Sequence, residues 1–103
     1  MNTHQALQLF NELTPPETGR LNKVLVDNEK TKSVLFAFAA GDGLAEHMAP
    51  FAATIHILQG EAVLTVTDES VDGKVGTWIH MPPKTPHSIQ ATTPVLMLLT
   101  LHK

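Results

Sequence analysis

Two stretches that begin at a glycine decide the fold class of this chain. Residues 41–60 read GDGLAEHMAPFAATIHILQG, and residues 76–91 read GTWIHMPPKTPHSIQA. Each stretch carries a histidine where a metal ligand could lie, His47 in the first and His87 in the second. Short apolar runs between glycine and proline turns are typical of β-sandwiches and barrels. The pattern predicts a small β-barrel with a pocket.

The flanking sequence extends this all-β pattern. Apolar and β-branched residues recur in short runs, as expected of strands with buried faces. The polar segment DESVDGK, residues 68–74, is predicted to be a loop because Asp72–Gly73 is a good turn pair. Strands are predicted over residues 21–26, 33–39, 54–58, 62–67, 78–81, 88–91 and 95–101.

Only the N-terminal segment has helical periodicity. Over residues 3–13, Leu7 and Phe10 lie three positions apart, and Thr3 is the expected N-cap. Consecutive prolines at residues 15–16 then end any helix. Two interpretations remain open for this short helix or arm: it packs across its own barrel, or it reaches a partner subunit.

Composition limits the function classes. The 103 residues suit a single domain, with an N-terminal arm over residues 1–19 and a barrel over about 33–101. The chain has no cysteine, which excludes disulfides, thiolate metal sites and cysteine nucleophiles. A net charge of −3 with scattered basic residues argues against nucleic acid. No apolar run reaches the length of a membrane span and no signal peptide is visible, so we expect no membrane association and a cytoplasmic location.

The first stretch resembles the first sequence motif of the cupin superfamily, whose fold is a jelly-roll β-barrel. That motif runs from a glycine through five residues to His-x-His, then to a Glu and a closing glycine. Gly41, His47 and Gly60 stand at the matching positions.

The second stretch resembles the second cupin motif, which runs from a glycine through five residues to a proline and then to a histidine. Gly76, Pro82 and His87 match it. The resemblance covers about residues 33–101 and is closest to small, single-domain, RmlC-like bacterial cupins. It implies a jelly-roll barrel that forms a homodimer. Apolar strands such as PVLMLLTL (residues 94–101) also predict a homodimer, because one small interior cannot use all of their apolar faces.

The resemblance also implies where a metal would be held. The four ligand positions of metal-binding cupins correspond to His47, Ala49, Ala53 and His87. Alanine cannot coordinate a metal, so only two histidines remain as possible ligands of a divalent ion such as Zn, Fe, Mn or Ni. A catalytic zinc or iron centre normally has three protein ligands.

Other side chains could complete a metal site or line a pocket. Strict alternation places His56 on the face of its strand opposite to Ala53, so only a bulge would turn it toward the site. His80 could be a third ligand or a pocket wall. Phe51 could form an apolar lip of the pocket.

Two functions therefore remain open, and the sequence leaves open whether the protein is an enzyme. In the first, a barrel pocket lined by His47, His87, His56, His80 and Phe51 binds a small organic molecule. In the second, a metal held by His47 and His87 with His56 or His80 supports isomerase, decarboxylase or dioxygenase chemistry, the reactions that the resemblance raises.

Overall fold

A computed structural model describes residues 3–103 as a two-sheet β-structure with one short helix. That helix is too short to span a membrane. Every predicted strand forms, with ends that shift by at most two residues. In chain order the elements are α1 Leu9–Glu12, β1 Arg20–Asp27, β2 Thr31–Phe38, β3 Gly43–His47, β4 Ala52–Gln59, β5 Ala62–Val66, β6 Glu69–Gly73, β7 Trp78–Met81, β8 His87–Ala91 and β9 Val95–His102.

The strands form two antiparallel sheets. The five-stranded sheet has the order β1-β2-β9-β4-β7, and the four-stranded sheet has the order β3-β8-β5-β6. Most neighbours within a sheet are distant in sequence, as in a jelly roll. The sheets remain separate rather than closing into one hydrogen-bonded cylinder. The predicted all-β jelly-roll class is confirmed.

The main core fills the space between the two sheets. Along β4, Ala53, Ile55 and Ile57 are buried at alternate positions, which is the two-residue period of a strand with one face inward. Leu64 of β5 and Ile89 of β8 belong to the same cluster from the opposite sheet. Each sheet therefore has an inner face toward this core and an outer face away from it.

One prediction for the four-stranded sheet is wrong. The segment predicted as a polar loop contains β6, which pairs with β5 from Ala62↔Gly73 to Val66↔Glu69. The turn lies earlier, at Thr67, which adopts a φ of 55°. Pairing with β5 satisfies the backbone of this polar strand, so its identity depends on a neighbour rather than on its own composition.

The predicted helix over residues 3–13 is also wrong in extent. Only four residues are helical, and the N-cap is Gln8 rather than Thr3. So short a helix gains little from its own hydrogen bonds and depends on packing. Leu9 and Leu13 pack on the outer face of the five-stranded sheet, against a small buried cluster. That cluster consists of Leu35, Ala37 and Leu96. The arm thus packs across its own barrel.

Candidate functional site

The pairing of β3 with β8 brings His47 and His87 together. They are register partners, and their ring centroids lie 4.2 Å apart at an interplanar angle of 59°. His87 is only 7% exposed and shares the inner face of β8 with Ile89, whereas His47 is exposed at the edge of the sheet. We call these two residues the inner pair.

A bulge in β3 makes this meeting possible. Leu44 is opposite Ile89 and His47 is opposite His87. Between these pairs β3 advances by three residues, whereas β8 advances by two. Strict alternation would place Leu44 and His47 on opposite faces of the strand. The extra residue restores His47 to the face that carries His87, as bulges commonly re-aim a side chain.

Backbone carbonyls orient both imidazoles in the same way. His47 Nδ1 lies 2.9 Å from the carbonyl oxygen of Ala45, and His87 Nδ1 lies 2.9 Å from that of Thr85. Because a carbonyl oxygen can only accept, each Nδ1 must carry the proton and donate it. Each neutral ring therefore presents a bare Nε2. Sequence reasoning missed these two carbonyls, since only the local backbone path brings them to the rings.

Burial sets the charge of His87. Loss of solvation lowers the pKa of His87 below its ordinary value, and the proximity of His47 lowers it further. The hydrogen bond to Thr85 opposes these effects. The balance favours a neutral His87 ring at neutral pH.

Two alanines stand where the family resemblance implies further ligands. Ala53 is 2% exposed on the inner face of β4, so a longer side chain there would point into the core. Ala49 lies between β3 and β4, and its carbonyl oxygen accepts a hydrogen bond of 2.8 Å from the Lys84 backbone N–H. That bond joins this loop to the turn before β8. Phe51 is half-buried just before β4.

His56 and His80 lie elsewhere, so their assignment to the pocket is corrected. His56 is the register partner of Trp78, and His80 is the partner of Thr54. No bulge interrupts β4 between Ala53 and Ile57, so strict alternation keeps His56 on the outer face of the five-stranded sheet.

The outer face carries its own histidine neighbours. The rings of His80 and His102 lie 6.1 Å apart, and Trp78 stacks near His80 at 6.3 Å. The Nε2 atom of His102 lies 2.7 Å from Thr54 Oγ1. We call His80 and His102 the outer pair. Within residues 3–103 no group of three or more His, Asp or Glu side chains is placed to hold a metal, including the three-histidine alternative that the sequence left open.

Three surface hollows of about 310, 450 and 290 Å³ lie away from the inner pair. The largest of the three lies beside β3 and β8, where Glu46, Thr65 and Gln90 are among its lining residues. None of the three is lined by His47 or His87. We place the candidate site at the inner pair because a buried imidazole with a lowered pKa that meets a second imidazole marks a site better than volume alone.

Several solved structures share this fold. A conserved protein of unknown function from Streptococcus pyogenes is 27% identical and matches 100% of this chain and 90% of its own, with a TM-score of 0.88. A cupin superfamily protein from Desulfitobacterium hafniense is 25% identical over 99% of this chain and 94% of its own, also with a TM-score of 0.88. Both comparisons span nearly the whole of each chain.

More distant similarity reaches enzymes. A variant of the salicylate 1,2-dioxygenase from Pseudoaminobacter salicylatoxidans, solved with gentisate, is 16% identical and has a TM-score of 0.76. The match covers 84% of this chain and 27% of that enzyme, and it shows the fold alone. Among proteins of curated function, none matches this sequence significantly. The cupin domain profile matches residues 34–101, most of the chain, and the protein therefore belongs to the cupin domain family.

Proposed function

We propose that this cupin binds a small organic molecule at the inner pair, between the two sheets. One observation carries the proposal: β3 and β8 bring two imidazoles within 4.2 Å, and neither Nε2 atom has a hydrogen-bond partner within residues 3–103. A mostly apolar wall with a few convergent polar atoms is typical of small-molecule sites.

The donor set does not fit a resident catalytic metal. Two imidazoles are available at the inner pair, and alanine stands at each of the other two positions that the family resemblance implies. His56 and His80 lie on the other face of the five-stranded sheet and cannot supply the third ligand that such centres normally have. The binding role is therefore the better supported of the two functions that the sequence left open.

Elemental analysis of tag-free protein separates the two functions. We expect well below one Zn, Fe, Mn or Ni per chain, both in the wild type and in a His47→Ala, His87→Ala variant. A stoichiometric metal that is lost in the double variant would contradict the proposal and favour the metal-dependent enzyme. A double variant of the outer pair, His80→Ala with His102→Ala, is the matched control for surface histidines that bind metal non-specifically.

We also propose that two copies of the chain associate through the outer face of the five-stranded sheet. The arm covers one side of this face, while Trp78 on the other side is 63% exposed. The outward residues of the three strands β4, β7 and β9 include no Lys, Arg, Asp or Glu, and the cores of protein interfaces are similarly poor in charge. Those residues include Ala52, Thr54, His56, Leu58, Trp78, His80, Leu96, Leu98, Thr100 and His102.

Light scattering coupled to size exclusion tests the association. The wild type should have about twice the 11.2 kDa mass of one chain. Trp78→Glu should give a monomer, because it buries a charge in the interface. Val75→Glu is the control, since Val75 is 67% exposed but lies outside the strands. A monomeric wild type would overturn the proposal.

A further inference from the structure

We propose that the group bound between His47 and His87 is an uncharged hydrogen-bond donor, such as a hydroxyl, and not a carboxylate. The inference rests on the proposed binding function and names the chemistry that the inner pair selects. It follows from which ring nitrogen carries the proton in each of the two imidazoles.

The first step is the tautomer. Both Nδ1 atoms lie 2.9 Å from backbone carbonyl oxygens, and each carbonyl belongs to the residue two positions earlier in the chain. Since those oxygens accept and cannot donate, both protons are committed to the backbone. In the neutral form of both rings, the two Nε2 atoms are left as acceptors. A ligand that meets them with N–H or O–H groups gains hydrogen bonds, whereas a carboxylate would oppose lone pair with lone pair.

The second step is the surroundings of the pair. Val66 is the register partner of His87 on β5, and Ile89 is buried on the same inner face of β8 as His87. These apolar side chains give a carboxylate nothing in exchange for its lost hydration, and burial of an unpaired charge is costly.

Lys32 of β2 is the cation that points inward in the register row of Ala53. Leu101 lies between these two residues in that row. The register partner of Lys32 on β1 is Asp27, whose carboxylate forms an ion pair of 2.8 Å with Lys103 and interacts more weakly with Lys32. Lys84 is exposed in the turn before β8. Neither Lys32 nor Lys84 changes which atoms the two imidazoles present to a ligand.

Nitrogen NMR of the imidazoles tests the tautomer before any ligand is added. Long-range ¹H–¹⁵N spectra at pH 8, above the ordinary pKa of imidazole, distinguish a protonated Nδ1 from a protonated Nε2. We expect a protonated Nδ1 and a bare Nε2 in both residues of the inner pair. A protonated Nε2 in either of them would overturn the inference, whatever the protein binds.

Two probes of matched shape then test the selectivity. We expect 1,2-benzenedimethanol, which has two hydroxyls, to shift the Nε2 signals of the inner pair at millimolar concentration. Phthalate, which has two carboxylates in the same places, should bind about tenfold or more weakly. His87→Phe should abolish the response to the diol, while His80→Phe should leave it unchanged, because His80 lies on the outer face.

The outcomes separate this inference from the proposed function. Tighter binding of phthalate at the inner pair would overturn the inference and leave a small-molecule site standing. If neither probe shifts the inner pair, the inference and the site itself are both wrong.

Discussion

Two pairs of histidines lie on different faces of this molecule, and they differ in how the chain holds them. In the inner pair, backbone carbonyls fix both rings, and the centroids lie 4.2 Å apart. In the outer pair the centroids lie 6.1 Å apart, and one ring bonds a threonine hydroxyl. One ring of the inner pair is buried, whereas both rings of the outer pair are exposed.

The difference shows that proximity of two histidines does not by itself define a site. In the inner pair both Nδ1 protons are bonded to backbone carbonyls. Each ring therefore offers the same atom, its Nε2, as the free acceptor. Water can replace the hydrogen-bond partners of the outer pair, so the structure constrains the orientation of these rings only weakly. Burial and backbone constraint, rather than residue type, distinguish the candidate site from an ordinary polar surface.

The largest expected effect comes from the strand that carries half of the inner pair. In Gly43→Ala, the added Cβ would lie 1.9 Å from the carbonyl oxygen of Ile89, so β3 must separate from β8. We expect a loss of about 3 kcal/mol in the free energy of unfolding, measured with urea. The imidazole signals of the inner pair should move, and those of the outer pair should not.

Gly41→Ala is the matched control for that change. Gly41 has a φ of +86° with no atom within 4 Å of the added Cβ, so only backbone strain should appear, about 1 kcal/mol. Equal losses for the two glycine variants would contradict the close approach of β3 to β8.

The next effect tests whether the arm really covers one side of the outer face. Leu9→Ala combined with Leu13→Ala should lower the free energy of unfolding by about 2 kcal/mol, because both leucines pack on a buried cluster. Phe10→Ala in the same helix should cost less than about 0.5 kcal/mol, since Phe10 is 60% exposed. If Phe10→Ala costs as much as the leucine pair, the arm is oriented differently.

Acid should weaken the fold through His87. Because the pKa of folded His87 lies below its unfolded value of about 6.5, the unfolded state binds a proton first as pH falls. Stability should therefore be highest above pH 6.5 and fall below it, by less than about 1.4 kcal/mol per pH unit from this residue. His87→Gln should reduce that slope between pH 7.5 and 5.5, and His80→Gln should not. A slope that survives His87→Gln unchanged would place its cause elsewhere.

The smallest effect should come from the outer pair. Thr54→Val removes the exposed hydrogen bond between Thr54 Oγ1 and His102 Nε2, which spans 2.7 Å. Solvent can replace it, so we expect a loss of about 0.5 kcal/mol in thermal or urea unfolding. A loss of several times that size would mean that the outer pair is as constrained as the inner one.

Much of the fold was predictable because buried strands have their own signature. The run over residues 33–39 and the final strand are recognisable in the sequence from their apolar and β-branched side chains. β6 was not predictable, because its residues ESVDG favour a turn until β5 supplies hydrogen bonds and Val71 packs on the core. The helix was overestimated because a three-residue spacing of apolar side chains cannot show how far packing supports it.

The sequence by itself determined the strand pattern, the glycine turns, the family resemblance and the absence of two expected ligands, since each of these depends on residue identity along the chain. Only the tertiary structure decided which histidines meet. A bulge in β3 turns His47 inward, while the uninterrupted alternation of β4 keeps His56 outward. The direction of the imidazole protons was likewise decided in three dimensions, because the carbonyls of Ala45 and Thr85 reach the rings only through the local fold of the backbone.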